Sequence, residues 1–307
     1  MADGLRIAII GQSSTRWPVH GYGRLEGLTL AEDGVEGLMD APVETEWIDD
    51  TEMGAVFSGE RYLPRDLTLG FYFSDELAGS TLAGKLESDF RRDIGYRLDR
   101  WDPDPKPVTI EVYSELSGTR TLSVQMRETP AMKMPTDPYG KRIYDIAYEM
   151  RAAMPLFDSG AVTTVFESAE TEASGTILVS NPTDMPMRHT WILTQGVWTI
   201  SDVSWEGARG ARAPGGDYAD RTIELPEILS TDGGVRITRE RRSLHATTFT
   251  GANFLGRMNG NWVRFDIPPY TPETELPISY TGAPDGGARA ELYQPRLWSR
   301  PVGLELP

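Results

Sequence analysis

The chain contains no cysteine, which removes disulfides, thiolate metal sites and cysteine nucleophiles together. It has only three histidines, His20, His189 and His245. No two of them stand three or four residues apart, so the usual spacing of a histidine metal site is missing and each is expected at the surface or in packing. No apolar run approaches the roughly 20 residues that cross a bilayer. The opening Met1-Ala2-Asp3-Gly4 lacks a basic region followed by an apolar stretch. The expectation is a soluble protein made in the cytoplasm, without membrane insertion. Cations are in deficit too, with 30 Lys and Arg against 46 Asp and Glu and a net charge of −16. A surface for DNA or RNA must neutralise phosphates with clustered Lys and Arg. The one basic cluster, residues 239–242, is interrupted by Glu240, so direct nucleic-acid binding is not expected.

Catalytic signatures are missing as well. Gly11-Gln12-Ser13-Ser14 departs from the Gly-x-Ser-x-Gly elbow of serine hydrolases at the third required position. Gly21-Tyr22-Gly23 lacks the third glycine and the following helix of a dinucleotide loop, and reads as a turn. A jelly-roll glycosidase needs two carboxylates about 5–10 Å apart. The neighbouring acids are Asp49-Asp50, Glu44 and Glu46, Glu224 and Glu227, and Glu273 and Glu275. Among 46 acids such neighbours arise by chance, and they are expected to be solvated surface. No calcium-loop spacing is present. The expectation is a protein that is not an enzyme, with no catalytic residue, no cofactor and no metal.

What the chain does have is β-pattern. With 307 residues it is long enough for two domains, and Gly 31 and Pro 22 suit many short strands joined by turns. Leu67, Leu69, Phe71 and Phe73 share one strand face, opposite Asp66, Thr68, Tyr72 and Ser74. Val108, Ile110 and Val112 lead through Ser117-Gly118-Thr119 to a return strand with Leu122, Val124 and Met126, a predicted hairpin. Tyr144, Ile146, Tyr148 and Met150 mark a further strand ending near Met154-Pro155. One helix is predicted. After the caps Ser80 and Thr81, the residues Leu82, Leu86, Phe90 and Ile94 recur every fourth position, with Gly95 as its limit. The proline-rich residues 102–107 read as a rigid loop.

Beyond Phe157 the pattern is wholly β, with strands predicted at 176–180, 190–194, 197–200, 222–225, 235–238, 262–267, 278–280 and 288–293, the count of a sandwich or jelly roll. The glycine-rich stretch 207–217 reads as a long exposed loop. Eight tryptophans are present. Trp191, Trp198, Trp205, Trp262 and Trp298 cluster in the second half, where they are expected to fill core or interface. The alternative is a stripe that stacks on sugar rings and contacts host-surface glycan.

The order of several short motifs resembles the distal tail proteins of siphophages, particularly those of phages infecting actinobacteria. Leu63-Pro64-Arg65 precedes a strand, the short helix follows, and then comes Arg120-Thr121-Leu122-Ser123-Val124. Asp137-Pro138-Tyr139 precedes the last strand of the first half, which leads to Ala152-Ala153-Met154-Pro155-Leu156-Phe157. In the second half, residues 179–186 contain Asn181-Pro182-Thr183-Asp184, residues 262–268 and 288–298 look like closing strands, and the chain continues Tyr293-Gln294-Pro295-Arg296.

The resemblance implies a mainly β fold. It places an N-terminal, β-barrel-like belt domain with one short α-helix at residues 1–155, and a galectin-like β-sandwich at 156–307. It further implies a virion role as a minor tail protein: a baseplate or tail-tip ring component, usually a hexamer of identical copies, joining the tail tube protein to the tail-tip hub protein. The tape-measure protein and other minor tail proteins are the further partners it implies. The loop at 209–219 departs from the family pattern.

Overall fold

The computed structural model describes residues 4–22, 27–50, 53–74, 83–133, 143–240 and 244–306. Ser80, Thr81, Leu82, Gly23, Asp137-Pro138-Tyr139 and the last two residues of the basic cluster lie outside them. The chain divides into two compact units, Met1–Ser159 with Trp298–Gly303, and Gly160–Leu297 with Leu304–Pro307.

In the first unit the strands are β1 (Arg6–Ile10), β2 (Arg16–His20), β3 (Leu28–Glu36), β4 (Val43–Asp49), β5 (Ala55–Tyr62), β6 (Arg65–Ser74), β7 (Val108–Ser114), β8 (Gly118–Met126), β9 (Ala131–Lys133) and β10 (Ile143–Ala152), with helix α1 (Ala83–Asp93) between β6 and β7. They run in the antiparallel order β2-β1-β7-β8-β10-β6-β3, with β9 on β10 and β4 paired only with β5. The expected barrel-like form stops short of closure. The end strands approach where Thr29 Oγ1 donates to the Val19 carbonyl at 3.3 Å, yet among the described residues no ladder joins β2 to β3.

The period-two reading fits. Leu67, Leu69, Phe71 and Phe73 are buried, as are Tyr144, Ile146, Tyr148 and Met150, and the two rows face each other in the β6–β10 register. The helix packs Phe90 into them, its ring edge-on to Trp17, Phe71, Phe73 and Tyr148 at 5.0–5.5 Å, a favoured aromatic geometry. It ends at Asp93, two residues before Gly95. The Asp93 carboxylate accepts from Ser13 N and Trp17 Nε1, each at 2.7 Å. Gly11 is needed there, because a Cβ on it would lie 1.9 Å from that carboxylate.

The second unit contains most of β11 (Phe157–Ser168) and β21 (Ala288–Trp298), together with β12 (Ala173–Asn181), β13 (Thr190–Leu193), β14 (Val197–Ser201), β15 (Trp205–Glu206), β16 (Ala213–Pro214), β17 (Thr222–Glu224), β18 (Val235–Thr238), β19 (Ala246–Thr248) and β20 (Thr271–Thr281). One antiparallel sheet runs β12-β20-β14-β17, and the other carries β19-β18-β13-β21-β11. Both contribute to one core, in which Trp191, Leu193 and Leu292 from the second sheet join Trp198, Ile200 and Tyr280 from the first. This is the two-sheet arrangement that the strand count suggested.

Two segments differ from expectation. Residues 262–266 are not a strand. The backbone N–H groups of Arg264 and Phe265 donate to the buried Asp202 carboxylate at 2.9–3.1 Å, and Arg221 pairs with the same carboxylate. Those amides are satisfied by a side chain instead of a strand neighbour, and only Ile267 bridges to Met187. The glycine-rich loop, in turn, is pinned. Its β16 is laddered to β15 just before it, Gly210 N donates to the Tyr270 carbonyl at 3.0 Å, and the Arg209 guanidinium lies 4.7 Å from the Tyr270 ring centre.

Candidate functional site

The two motif arginines of the first unit are interior residues. Arg65 is 1% exposed. Its Nε donates to the Pro155 carbonyl at 2.9 Å and its Nη2 to the Ser299 carbonyl at 2.7 Å, while Nη1 serves Gly37 and Leu38. The guanidinium also lies 5.0 Å from the Phe157 ring centre. Burial lowers its pKa to about 10, so at neutral pH it remains a cation whose charge is spread over carbonyl dipoles. Arg120 is fully buried. Its Nη1 donates to the carbonyls of Arg300 and Gly303 at 2.9 and 3.0 Å, and its guanidinium stacks 3.7 Å from the Trp298 ring centre.

Both arginines therefore hold the returning segment Trp298–Gly303. Trp298 Nε1 donates to Ser159 Oγ at 3.0 Å, Arg300 pairs with Asp40 at 3.1 Å, and Gly303 N donates to Ser117 Oγ at 2.8 Å. Arg65 and Arg120 are clamps for backbone, the use for which a planar fork of donors is suited. Sequence pattern singled them out without revealing this task, because the carbonyls they bind lie up to 234 residues away.

The motif asparagine of the second unit works in the same way. Asn181 is fully buried. Its Nδ2 is shared among the carbonyls of Met185, Ile267 and Pro268 at 2.9–3.1 Å, and its Oδ1 accepts from Thr183 N and Oγ1 at 3.2 and 2.8 Å. Substituting Asn181→Ala removes all of these bonds from the core and leaves Thr183 N without its acceptor, while the three carbonyls keep Thr183 Oγ1, Met187 N and Thr271 Oγ1 as donors. The expected loss is about 3 kcal/mol, read as a lower urea midpoint for the second unit. A change below about 0.5 kcal/mol, the range of neutral surface substitutions, would contradict the assignment.

No reactive constellation is assembled among the described residues. His20 is exposed on β2 and His189 is buried. His245 lies flat against Trp262, with ring centres 5.6 Å apart. No group of three or more His, Asp or Glu side chains able to hold a metal is found there. The acid pairs at 44/46, 49/50, 224/227 and 273/275 all stand exposed. Asp66, Asp89 and Asp232 have pKa values lowered by hydrogen bonds from Arg151, Lys85 and Arg257 respectively, opposite to the shift a general acid needs. Ser13 meets Thr15 Oγ1 at 2.7 Å and Ser14 meets Lys106 Nζ at 3.4 Å, so neither resembles a nucleophile with its base.

The tryptophans do not form a stripe. Of the five in the second half, Trp191 and Trp198 are buried in the second core, Trp298 is buried in the first, Trp205 is partly buried against the second, and Trp262, at 44% exposure, alone stands clear. No helix among the described residues is long and apolar enough to cross a membrane.

The distinctive polar residues of this mainly β chain of two units are thus spent on holding backbone together. The comparisons with known proteins are specific. The chain is 25% identical to minor tail protein Gp27 of Mycobacterium phage D29, over 91% of this chain and 93% of that one. Identity and coverage are the same for minor tail protein Gp27 of Mycobacterium phage L5. The Dit protein of phage SPP1, described as a paradigm of hub adsorption apparatus, superposes with a TM-score of 0.56 at 12% identity, covering 95% of this chain and 98% of that one. No protein-family model matches. The chain has the fold of a siphophage distal tail protein, and the resemblance seen in its motifs extends over nearly its full length.

Proposed function

We propose that this protein is a structural, non-catalytic component of a phage tail tip, and that identical copies close into a ring joining the tail tube to the tip. The observation that carries this reading is the length of the match to the minor tail proteins, 91% of one chain against 93% of the other. A likeness confined to one β-sandwich would point to a common fold alone. In this reading residues 1–155 form the ring and residues 156–307 the galectin-like outer domain. The ring's neighbours are the tail tube protein and the tail-tip hub protein, with the tape-measure protein and other minor tail proteins close by.

The charge suits that place. A channel that passes DNA must not hold it, and a subunit with a net charge of −16 repels phosphates along the path. Closure by a rotation axis makes each contact heterologous, one surface of a copy meeting a different surface of the next. Native mass spectrometry of the purified full-length chain is expected to show one closed species of about six copies. Electron microscopy of virions should place it at the tail tip. Particles that assemble normal tails without this protein would refute the reading.

Glycan contact by the second unit has one structural foothold among its tryptophans, the exposed Trp262 stacked on His245. A glycan array comparing the wild type with Trp262→Ala decides it. Equal or absent signals from both remove that reading.

A further inference from the structure

The β4–β5 hairpin is exposed along nearly its whole length, and it is apolar where exposure is least expected. Trp47 is 59% exposed, Ile48 63%, Val56 61%, Phe57 49%, and Met53 near the turn 88%. The register sets Trp47 opposite Phe57 and Ile48 opposite Val56. Successive residues point to opposite faces, so both faces of the ribbon are apolar. The Trp47 and Phe57 rings meet edge to face at 5.5 Å. A lone two-stranded hairpin is marginal in water, and an apolar patch of this kind marks an interaction surface.

We propose that this hairpin is an arm that docks on the outer face of the β1–β2 ribbon of a second copy of this chain. The inference rests on the ring reading and names its contact. Charge selects the occupant. The arm carries Glu44, Glu46, Asp49, Asp50, Glu52 and Glu60 against Arg61 alone, whereas residues 4–22 contain Arg6, Arg16 and His20 and no acid. The Arg6 guanidinium lies over the Tyr113 ring at 5.3 Å and that of Arg16 over the Tyr22 ring at 4.9 Å, giving a cationic, aromatic surface. Two acids stand beside it: Glu111 of β7, which pairs with Arg16, and the buried Asp93 of α1, whose carboxylate is taken by Ser13 N and Trp17 Nε1.

One unit thus holds an acidic apolar donor and a cationic aromatic acceptor at different places. In a head-to-tail assembly each copy uses each of them once. The arm's roughly 20 residues match one side of a standard interface, about 20–30 residues. Pro18 in the edge strand β2 has no N–H to extend a ladder, so the contact is made through side chains and not by strand addition.

The test uses the full-length chain and two variants, Trp47→Ser/Phe57→Ser in the arm and Arg6→Glu/Arg16→Glu in the acceptor. Circular dichroism melting confirms that each is folded, and Arg6→Glu alone replaces the double acceptor change if the latter melts early. By mass photometry the wild type is expected as a closed oligomer and each variant as a monomer. An equimolar mixture of the two variants is expected to give dimers and nothing larger, because such a pair has one intact arm facing one intact acceptor. Should the wild type close while an arm or acceptor variant also closes, or the mixture stay monomeric, the arm proposal fails and the ring reading stands. A wild type that remains monomeric overturns both.

Discussion

Replacing Arg120 by alanine is expected to release the segment Trp298–Gly303 and to cost the protein several kcal/mol. Three losses coincide. The carbonyls of Arg300 and Gly303 lose their shared donor, Trp298 loses the cation stacked on its ring, and a cavity opens where a fully buried side chain stood. Unsatisfied buried acceptors cost about 1–3 kcal/mol each, and a desolvated cation–π contact is worth about 2 kcal/mol. These terms share one side chain and do not add fully, so about 4 kcal/mol is expected. Urea unfolding gives the magnitude, and amide exchange at residues 299–303 shows whether the released segment is the one named. Arg120→Lys should recover less than half of the loss, since a single ammonium cannot reproduce a planar group stacked on Trp298. An unchanged urea midpoint in Arg120→Ala would show that the clamp is ornamental.

The second large effect depends on pH. His189 is buried beside Trp191, ring centres 6.2 Å apart, and among the described residues its Nδ1 has no hydrogen-bond partner. Burial, reinforced by the nearby Arg239 cation, lowers its pKa from 6.5 to about 4. The sign follows from proton binding. Between these values the unfolded chain holds a proton on this imidazole that the folded chain does not, so stability rises with pH through the window. The contribution is fully present above pH 6.5 and is lost as pH falls toward 4. At about 1.4 kcal/mol per unit the full effect is about 3 kcal/mol. His189→Gln carries no titrating group, so the stability difference between wild type and variant should shift by about 3 kcal/mol from pH 7.5 to pH 4. Taking the difference cancels Asp66, Asp89 and Asp232, whose lowered pKa values also favour the fold at higher pH. A difference that is flat across this range would show that the imidazole titrates alike in both states.

The first unit's framework was legible because its signal is local. Alternation in β6 and β10, the β7–β8 hairpin around Gly118 and the four-residue recurrence of Leu86, Phe90 and Ile94 each occupy a short window and need only their own neighbours. The arm was not legible. In β4 and β5, charged and apolar residues are mixed on both faces, since neither face is turned to a core of the same chain. Residues 262–266 alternate in the manner of a strand, yet nothing in that stretch announces that Asp202 will take two of its amides.

Composition, with no cysteine, scattered histidines, excess acid and a period-two rhythm, was by itself enough to set the class: a β-rich chain without thiol chemistry, a histidine metal motif or a phosphate-binding surface. The motif order was enough for its likeness to distal tail proteins. Only the tertiary structure decided what Arg65, Arg120 and Asn181 hold, where the five tryptophans of the second half go, and which hairpin is left uncovered. The reason is one of range. Strand and helix periodicity are properties of successive residues, whereas a buried donor is matched to whichever carbonyl the closed chain brings to it. For Arg120 that carbonyl belongs to a residue 180 positions further on.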